Sequence, residues 1–255
     1  MNLPQDIRGA IASSLAGAYR PNALISEAGD SGSRSAKVGL TLFGPVVGHD
    51  DIKAFLRKAL AAEKPVHVLL EGPPASAKTL FLMELGRLPQ AYFVVAGTAS
   101  RAGLAELLVT WRPRILLIDE VETIPRLRDY AVLLHLMENE EVVVTKHGKR
   151  LRIPLTTWVF AAGNDTSRLP RALVSRFGGK EAVLRFRAYR SEEFVAIATR
   201  VLVEREGTAE AFAVGVANAT LDLGSKDVRL AVRLARVAKD AASLRDVVET
   251  IRRHR

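Results

Sequence analysis

Apolar residues follow two rhythms along this chain. Short unbroken runs have the length and content of strands buried on both faces: Val66-His67-Val68-Leu69-Leu70, Tyr92-Phe93-Val94-Val95, Ile115-Leu116-Leu117-Ile118, Trp158-Val159-Phe160-Ala161-Ala162 and Val183-Leu184-Arg185-Phe186. Between them apolar positions fall at helical spacing, with Ile52, Phe55, Leu56 and Leu60 on one segment and residues 79–83, 104–108 and 130–137 on others. Strands alternating with helices predict an α/β domain, a doubly wound parallel five-stranded sheet covered on both faces and joined by right-handed crossovers. From Ser191 onward the strand signal stops. Phe194, Ala198 and Val201, then Phe212, Val216 and Ala219, then Val228, Ala231, Leu234 and Val237, then Leu244, Val247, Val248 and Ile251 mark four helices. These predict a small C-terminal all-α domain over residues 190–255, after an α/β domain over residues 37–189.

Residues 1–36 read differently. Ile7, Ile11, Leu15 and Ala18 fit a short amphipathic helix from Pro4 to Tyr19, and Gly29-Asp30-Ser31-Gly32-Ser33-Arg34-Ser35 reads as a linker. This piece is expected to be an arm, a candidate contact for a protein partner.

Composition narrows the class. Of 255 residues, 48% are hydrophobic and 25% charged, the averages of a soluble globular protein, which excludes wholesale disorder. There is no cysteine, so disulfides, thiolate metal sites and cysteine chemistry are excluded. No apolar run reaches 18 residues, and Asp6 and Arg8 interrupt the start of the chain, so neither a membrane span nor a signal peptide is expected. A cytoplasmic setting follows as the expectation. The net charge of +9 is concentrated: residues 143–190 hold eleven Lys and Arg against Asp165 and Glu181. A local basic excess suits a polyphosphate partner, or the charged surface of a thermophile.

Chemistry enters between the first strand and its helix, where Gly72-Pro73-Pro74-Ala75-Ser76-Ala77-Lys78-Thr79 has the context of a phosphate-binding loop. Backbone N–H groups of such a loop cradle phosphates, a lysine at Lys78 reaches the β- and γ-phosphates, and a hydroxyl at Thr79 ligates Mg²⁺. Ala75 and Ala77 stand where glycine is common, which weakens binding if a positive φ is needed there. The third strand delivers Asp119 and Glu120 to the same sheet edge, Asp119 for Mg²⁺ and Glu120 to polarise an attacking water. Asn164, ending the fourth strand, is placed to orient that water. Arg176, on a short helix, is a candidate for a neighbouring subunit's γ-phosphate, and Arg229 for the same phosphates from the helical domain.

These residues resemble the motifs of the AAA+ ATPase superfamily over about Pro45 to Arg255. Gly72–Thr79 is similar to Walker A, Ile115–Glu120 to Walker B, Asn164 to sensor 1, Arg176 to the arginine finger and Arg229 to sensor 2. The Ala-Lys-Thr ending of Walker A is similar to the MoxR-like and MCM branches. Val142-Val143-Val144-Thr145 and Arg150-Leu151-Arg152-Ile153-Pro154, around a turn containing Gly148, predict a β-hairpin just before the sensor 1 strand. That hairpin resembles the pre-sensor 1 hairpin of the branch holding MoxR-like proteins, MCM helicases and the RuvB branch-migration motor.

The resemblance implies an ATP hydrolase using ATP and Mg²⁺ in a homo-oligomeric ring, usually of six subunits, with the C-terminal all-α domain as a lid and Val47 and Gly48 near the adenine. It leaves two clients open: DNA, contacted through Lys146, Lys149, Arg150 and Arg152, or a protein complex remodelled as a MoxR-like chaperone would do. No membrane partner is expected.

Overall fold

The aliphatic runs become strands of one sheet because each strand buries side chains on both faces. The computed structural model describes residues 42–44, 46–146 and 149–254. The amphipathic arm and linker therefore lie outside the described residues. The rest divides into two compact units, one made of the residues up to Gly72 with Ala77–Phe186, the other of Pro73–Ser76 with the residues from Arg187 on.

The first unit holds strands β1 (Val68–Glu71), β2 (Ala91–Val95), β3 (Ile115–Asp119), β6 (Trp158–Gly163) and β7 (Leu184–Arg185) in the order β2-β3-β6-β1-β7, every pairing parallel. The expected fifth strand is present, but only two of its four residues pair. Alternate residues of each strand feed two separate cores. Leu69, Leu116, Ile118, Val159 and Ala161 face one. Val68, Leu70, Ile115, Leu117, Trp158, Phe160 and Ala162 face the other.

Helices α1 (Asp50–Ala61) and α2 (Lys78–Leu85) cover the second face with Leu56, Phe81, Leu82 and Leu85. The first face is covered by α3 (Arg101–Trp111), α4 (Ala131–Asn139) and α5 (Arg171–Arg176) through Leu104, Leu108, Leu133, Leu136 and Leu173. The predicted hairpin forms: β4 (Glu141–Lys146) pairs antiparallel with β5 (Lys149–Pro154), and Val142 enters the first core.

In the second unit, α6 (Ser191–Glu206), α7 (Glu210–Asp222), α8 (Val228–Val237) and α9 (Ala241–Arg253) bury Phe194, Ala198, Leu202, Val216, Ala231, Leu234 and Leu244. The sequence supplies the helix boundaries. Asp227 and Asp240 cap α8 and α9 by accepting the N–H groups of Arg229 and Ser243, and Gly207 ends α6 in the left-handed region at φ 66°. No helix among the described residues is long and apolar enough to cross a membrane.

At the start of α6 the Glu193 carboxylate accepts two hydrogen bonds of 2.6 Å from the Arg187 guanidinium and one of 2.8 Å from the Arg190 N–H. The Arg187 hydrogen bond leads in holding Glu193 well below the usual carboxylate range, with the Arg190 N–H next. A depressed folded-state pKa contributes stability above the unfolded pKa of about 4.3, and that contribution fades as the pH falls below it. Glu193→Gln should therefore lower the urea midpoint at pH 7, with the gap to wild type narrowing steadily from about pH 5 downward. Midpoints measured at pH 7, 5 and 3 check this, and a gap independent of pH would contradict it.

Candidate phosphate-binding edge of the sheet

Three neighbouring strands end at one place. The order β3-β6-β1 brings the carboxyl ends carrying Asp119, Asn164 and Gly72 side by side, and the Gly72 N–H donates to the Gly163 carbonyl at 3.3 Å. Lys78 opens α2 and is buried to 6% exposure. Its Nζ donates to the Gly72 carbonyl at 2.7 Å and to Asn164 Oδ1 at 3.2 Å. Burial pulls the Lys78 pKa below the ordinary lysine value, while the carboxylates of Asp119 and then Glu122 push it back up.

The loop backbone completes the arrangement. Ala75 and Ala77 adopt φ 61° and 72°, so the positions where glycine is common do require the left-handed region, and alanine occupies it. Ala77 is the N-cap of α2 and gives no side-chain cap, so the first-turn N–H groups are directed at the loop. Next along the helix, Thr79 Oγ1 donates to Asp119 Oδ2 at 2.7 Å. A hydroxyl and a carboxylate this close form a hard oxygen donor pair, the chemistry that Mg²⁺ prefers. The residues present thus fit both a polyphosphate and its metal.

Beyond Asp119 the chain turns sharply. Glu120 is exposed and left-handed at φ 53°, its N–H donates to Asp119 Oδ1 at 3.0 Å, and its carbonyl accepts from both the N–H and the hydroxyl of Thr123 at 2.7 Å. That turn returns Glu122 to the edge, where its Oε1 accepts the Asn164 N–H at 2.7 Å. Sequence reading passed over Glu122. The one available signal was an acid two positions after the Asp-Glu pair, and its placement depends on a left-handed residue that no local pattern announces.

The other expected residues stand further out. Val47 and the left-handed Gly48 (φ 68°) are half-buried just before α1. Arg176, at the end of α5, pairs with Glu138 of α4 at 2.6 Å. In the helical unit, the exposed Arg229 pairs with Asp227 at 3.2 Å. Lys146, Lys149 and Arg150 lie in the last pairs of the hairpin backbone, and residues 147 and 148 fall outside the described residues. Arg152 pairs across the hairpin with Glu141 at 3.1 Å.

No protein-family model matches the chain. Two curated relatives do, both the Holliday junction branch migration complex subunit RuvB of Bifidobacterium longum, from strains DJO10A and NCC 2705. Each is 31% identical over 229 residues, spanning 81% of this chain and 62% and 60% of the relatives. The chain therefore spans about three fifths of the length of the curated relatives it matches. Among solved structures, a mutant of Thermotoga maritima RuvB superposes with a TM-score of 0.58 at 21% identity, covering 81% of this chain and 65% of that one. The Thermotoga maritima RuvB Holliday junction branch migration motor superposes at 0.55, also at 21% identity, covering 80% and 70%. Sequence and fold agree: the chain resembles the AAA+ ATPase superfamily, on the branch that contains RuvB.

Proposed function

We propose that this chain is a DNA-directed AAA+ motor, a branch-migration or helicase-like enzyme that couples Mg²⁺-dependent ATP hydrolysis in a homo-oligomeric ring, a hexamer, to remodelling of DNA. One observation carries the reading: Lys78, Thr79, Asp119 and Asn164 converge through direct hydrogen bonds on the edge beside an open helix N-terminus. The RuvB relatives and the basic hairpin support DNA as the client.

In this reading the backbone from Gly72 to Thr79 binds the phosphates, with Val47 and Gly48 beside the base. Lys78 exchanges its Gly72 and Asn164 contacts for phosphate oxygens, which relieves the burial of its charge. Thr79 and Asp119 hold Mg²⁺, which when bound neutralises charge on the phosphates. Glu120, exposed at the edge, accepts a proton from water, and the Asn164 amide orients that water. Arg176 leaves Glu138 to reach the γ-phosphate of an adjacent subunit, a contribution worth about 10³–10⁵ in turnover where such arginines are known. Arg229 is assigned the sensor 2 role by its motif position.

ATP turnover at several protein concentrations, with and without duplex and four-way DNA, tests the reading. Stimulation by DNA that fades with salt is expected, because phosphate contacts compete with counterions. Turnover that rises with protein concentration and ignores every DNA would instead make the chain a protein remodeller of MoxR-like kind. Lys78→Ala should lower turnover by about 10²–10³, the usual cost of removing one charge-stabilising donor. Wild-type turnover in that variant would remove the phosphate-loop assignment.

Ala77 gives a separate prediction. A left-handed alanine costs about 1–2 kcal/mol, and glycine in its place adds about 0.4–1 kcal/mol of unfolded-chain freedom. Ala77→Gly should therefore keep ATP turnover and raise stability by up to about 1 kcal/mol. Ala77→Val should lose stability and nucleotide affinity together. Thermal unfolding with and without ATP measures both.

A further inference from the structure

The edge of the sheet contains one carboxylate whose surroundings the nucleotide reading leaves unexplained. Glu122 lies on the 3₁₀ turn Val121–Thr123, directly after the left-handed Glu120. Its Oε1 holds the Asn164 N–H at 2.7 Å. Its Oε2 is fully buried and has no hydrogen-bond partner among the described residues. A buried carboxylate oxygen in that condition is costly, so something must offset it.

Two features do. The Lys78 ammonium, within electrostatic reach, supplies the opposite charge. Gly163 supplies the space: a Cβ there would stand 2.6 Å from Glu122 Oε2, so only glycine lets this carboxylate close on the end of β6. Asn164 is consequently held at both ends, its backbone by Glu122 and its side-chain oxygen by Lys78. Once Lys78 turns to phosphate, the Glu122 bond becomes the hydrogen bond that still fixes where the Asn164 backbone sits.

We infer that Glu122 is a positioning residue for hydrolysis: it sets the place of Asn164 through the Asn164 N–H, with Gly163 as the gap that admits it, and itself makes no contact with the nucleotide. The inference rests on the proposed role of Asn164 in orienting the attacking water. Its consequence is a separation of effects. Loss of Glu122 should misplace the water-orienting amide while leaving the phosphate loop, and hence nucleotide binding, intact.

Steady-state ATP turnover of Glu122→Ala, Glu122→Gln, Gly163→Ala, Asn164→Ala and the double variant Glu122→Ala/Asn164→Ala provides the test, with a fluorescent ADP analogue as the binding probe. Glu122→Ala should lower kcat by about 10–100-fold, the usual cost of removing a group that orients a site residue, with KM and probe affinity within about threefold of wild type. Glu122→Gln keeps an acceptor for the Asn164 N–H and should recover most of kcat. Gly163→Ala, which forces the carboxylate away, should reproduce Glu122→Ala. The double variant should be no slower than Asn164→Ala alone, because one group acts through the other.

An unchanged kcat in Glu122→Ala, a change confined to KM, no recovery in Glu122→Gln, or a double variant in which the two losses multiply would overturn the inference. If Glu122→Ala does not fold, the kcat-against-KM split in Gly163→Ala and Glu122→Gln decides it by the same criteria. Absence of turnover in the wild type would sink the ATPase reading instead, so the two failures are distinct.

Discussion

The site depends on the adjacency of β3, β6 and β1. The register pairs Glu71 with Gly163, and Ile118 with Ala161, so the three strands run out nearly level. Neighbouring strands lie about 4.8 Å apart, which brings three chemically different ends within about 10 Å of one another. None of them is close to the others in sequence. The long-range hydrogen bonds of the edge, Lys78 to Asn164 and Thr79 to Asp119, follow from that register and need no loop to fold over the site. The rigid part of the molecule thus sets the positions of the polar groups.

The fold was legible because burial on both faces leaves an unambiguous mark. Strands flanked by two cores have no polar alternation, and the aliphatic runs at Leu69, Leu116 and Val159 were visible as such. The four helices after Ser191 were equally clear from their apolar spacing. What the pattern could not give was the extent of pairing at the sheet's edge. Val183 and Phe186 are buried and apolar, yet the register with β1 holds only Leu184 and Arg185, with the Phe186 N–H adding one last bond to the Glu71 carbonyl at 2.6 Å, because burial and pairing are separate requirements. Within the site, the glycine-like loop and the Asp-Glu pair were readable from residue type and spacing. The approach of Glu122 to Asn164 was not, since it is produced by backbone signs at Glu120 and by free volume at Gly163.

The charge distribution changes on folding. Several cations of the basic stretch meet acids from outside it: Arg152 meets Glu141, Arg176 meets Glu138, Arg185 meets Glu71, and Arg187 and Arg190 meet Glu193. A count along the sequence therefore overstates the field that a ligand would experience. Surface pairs such as Arg152 with Glu141 are worth about 0–1 kcal/mol, so, unlike the Glu193 cluster at the start of α6, they do little to hold the fold and remain exchangeable for phosphate oxygens. Charge is stored next to its own counterion, in a form that a polyanion can displace.

Eight non-glycine residues among those described adopt positive φ. Ala75, Ala77 and Glu120 do so at the phosphate edge, while Arg112 and Glu140 do so at the ends of α3 and α4, each donating its N–H back to a carbonyl four residues earlier. The second group performs a task that glycine does without strain. Unused thermal headroom therefore sits at helix ends remote from the chemistry, whereas the same backbone sign near Asp119 aims functional groups. Robustness and activity in this chain can be tuned at different addresses, and a more durable version need not be a slower one.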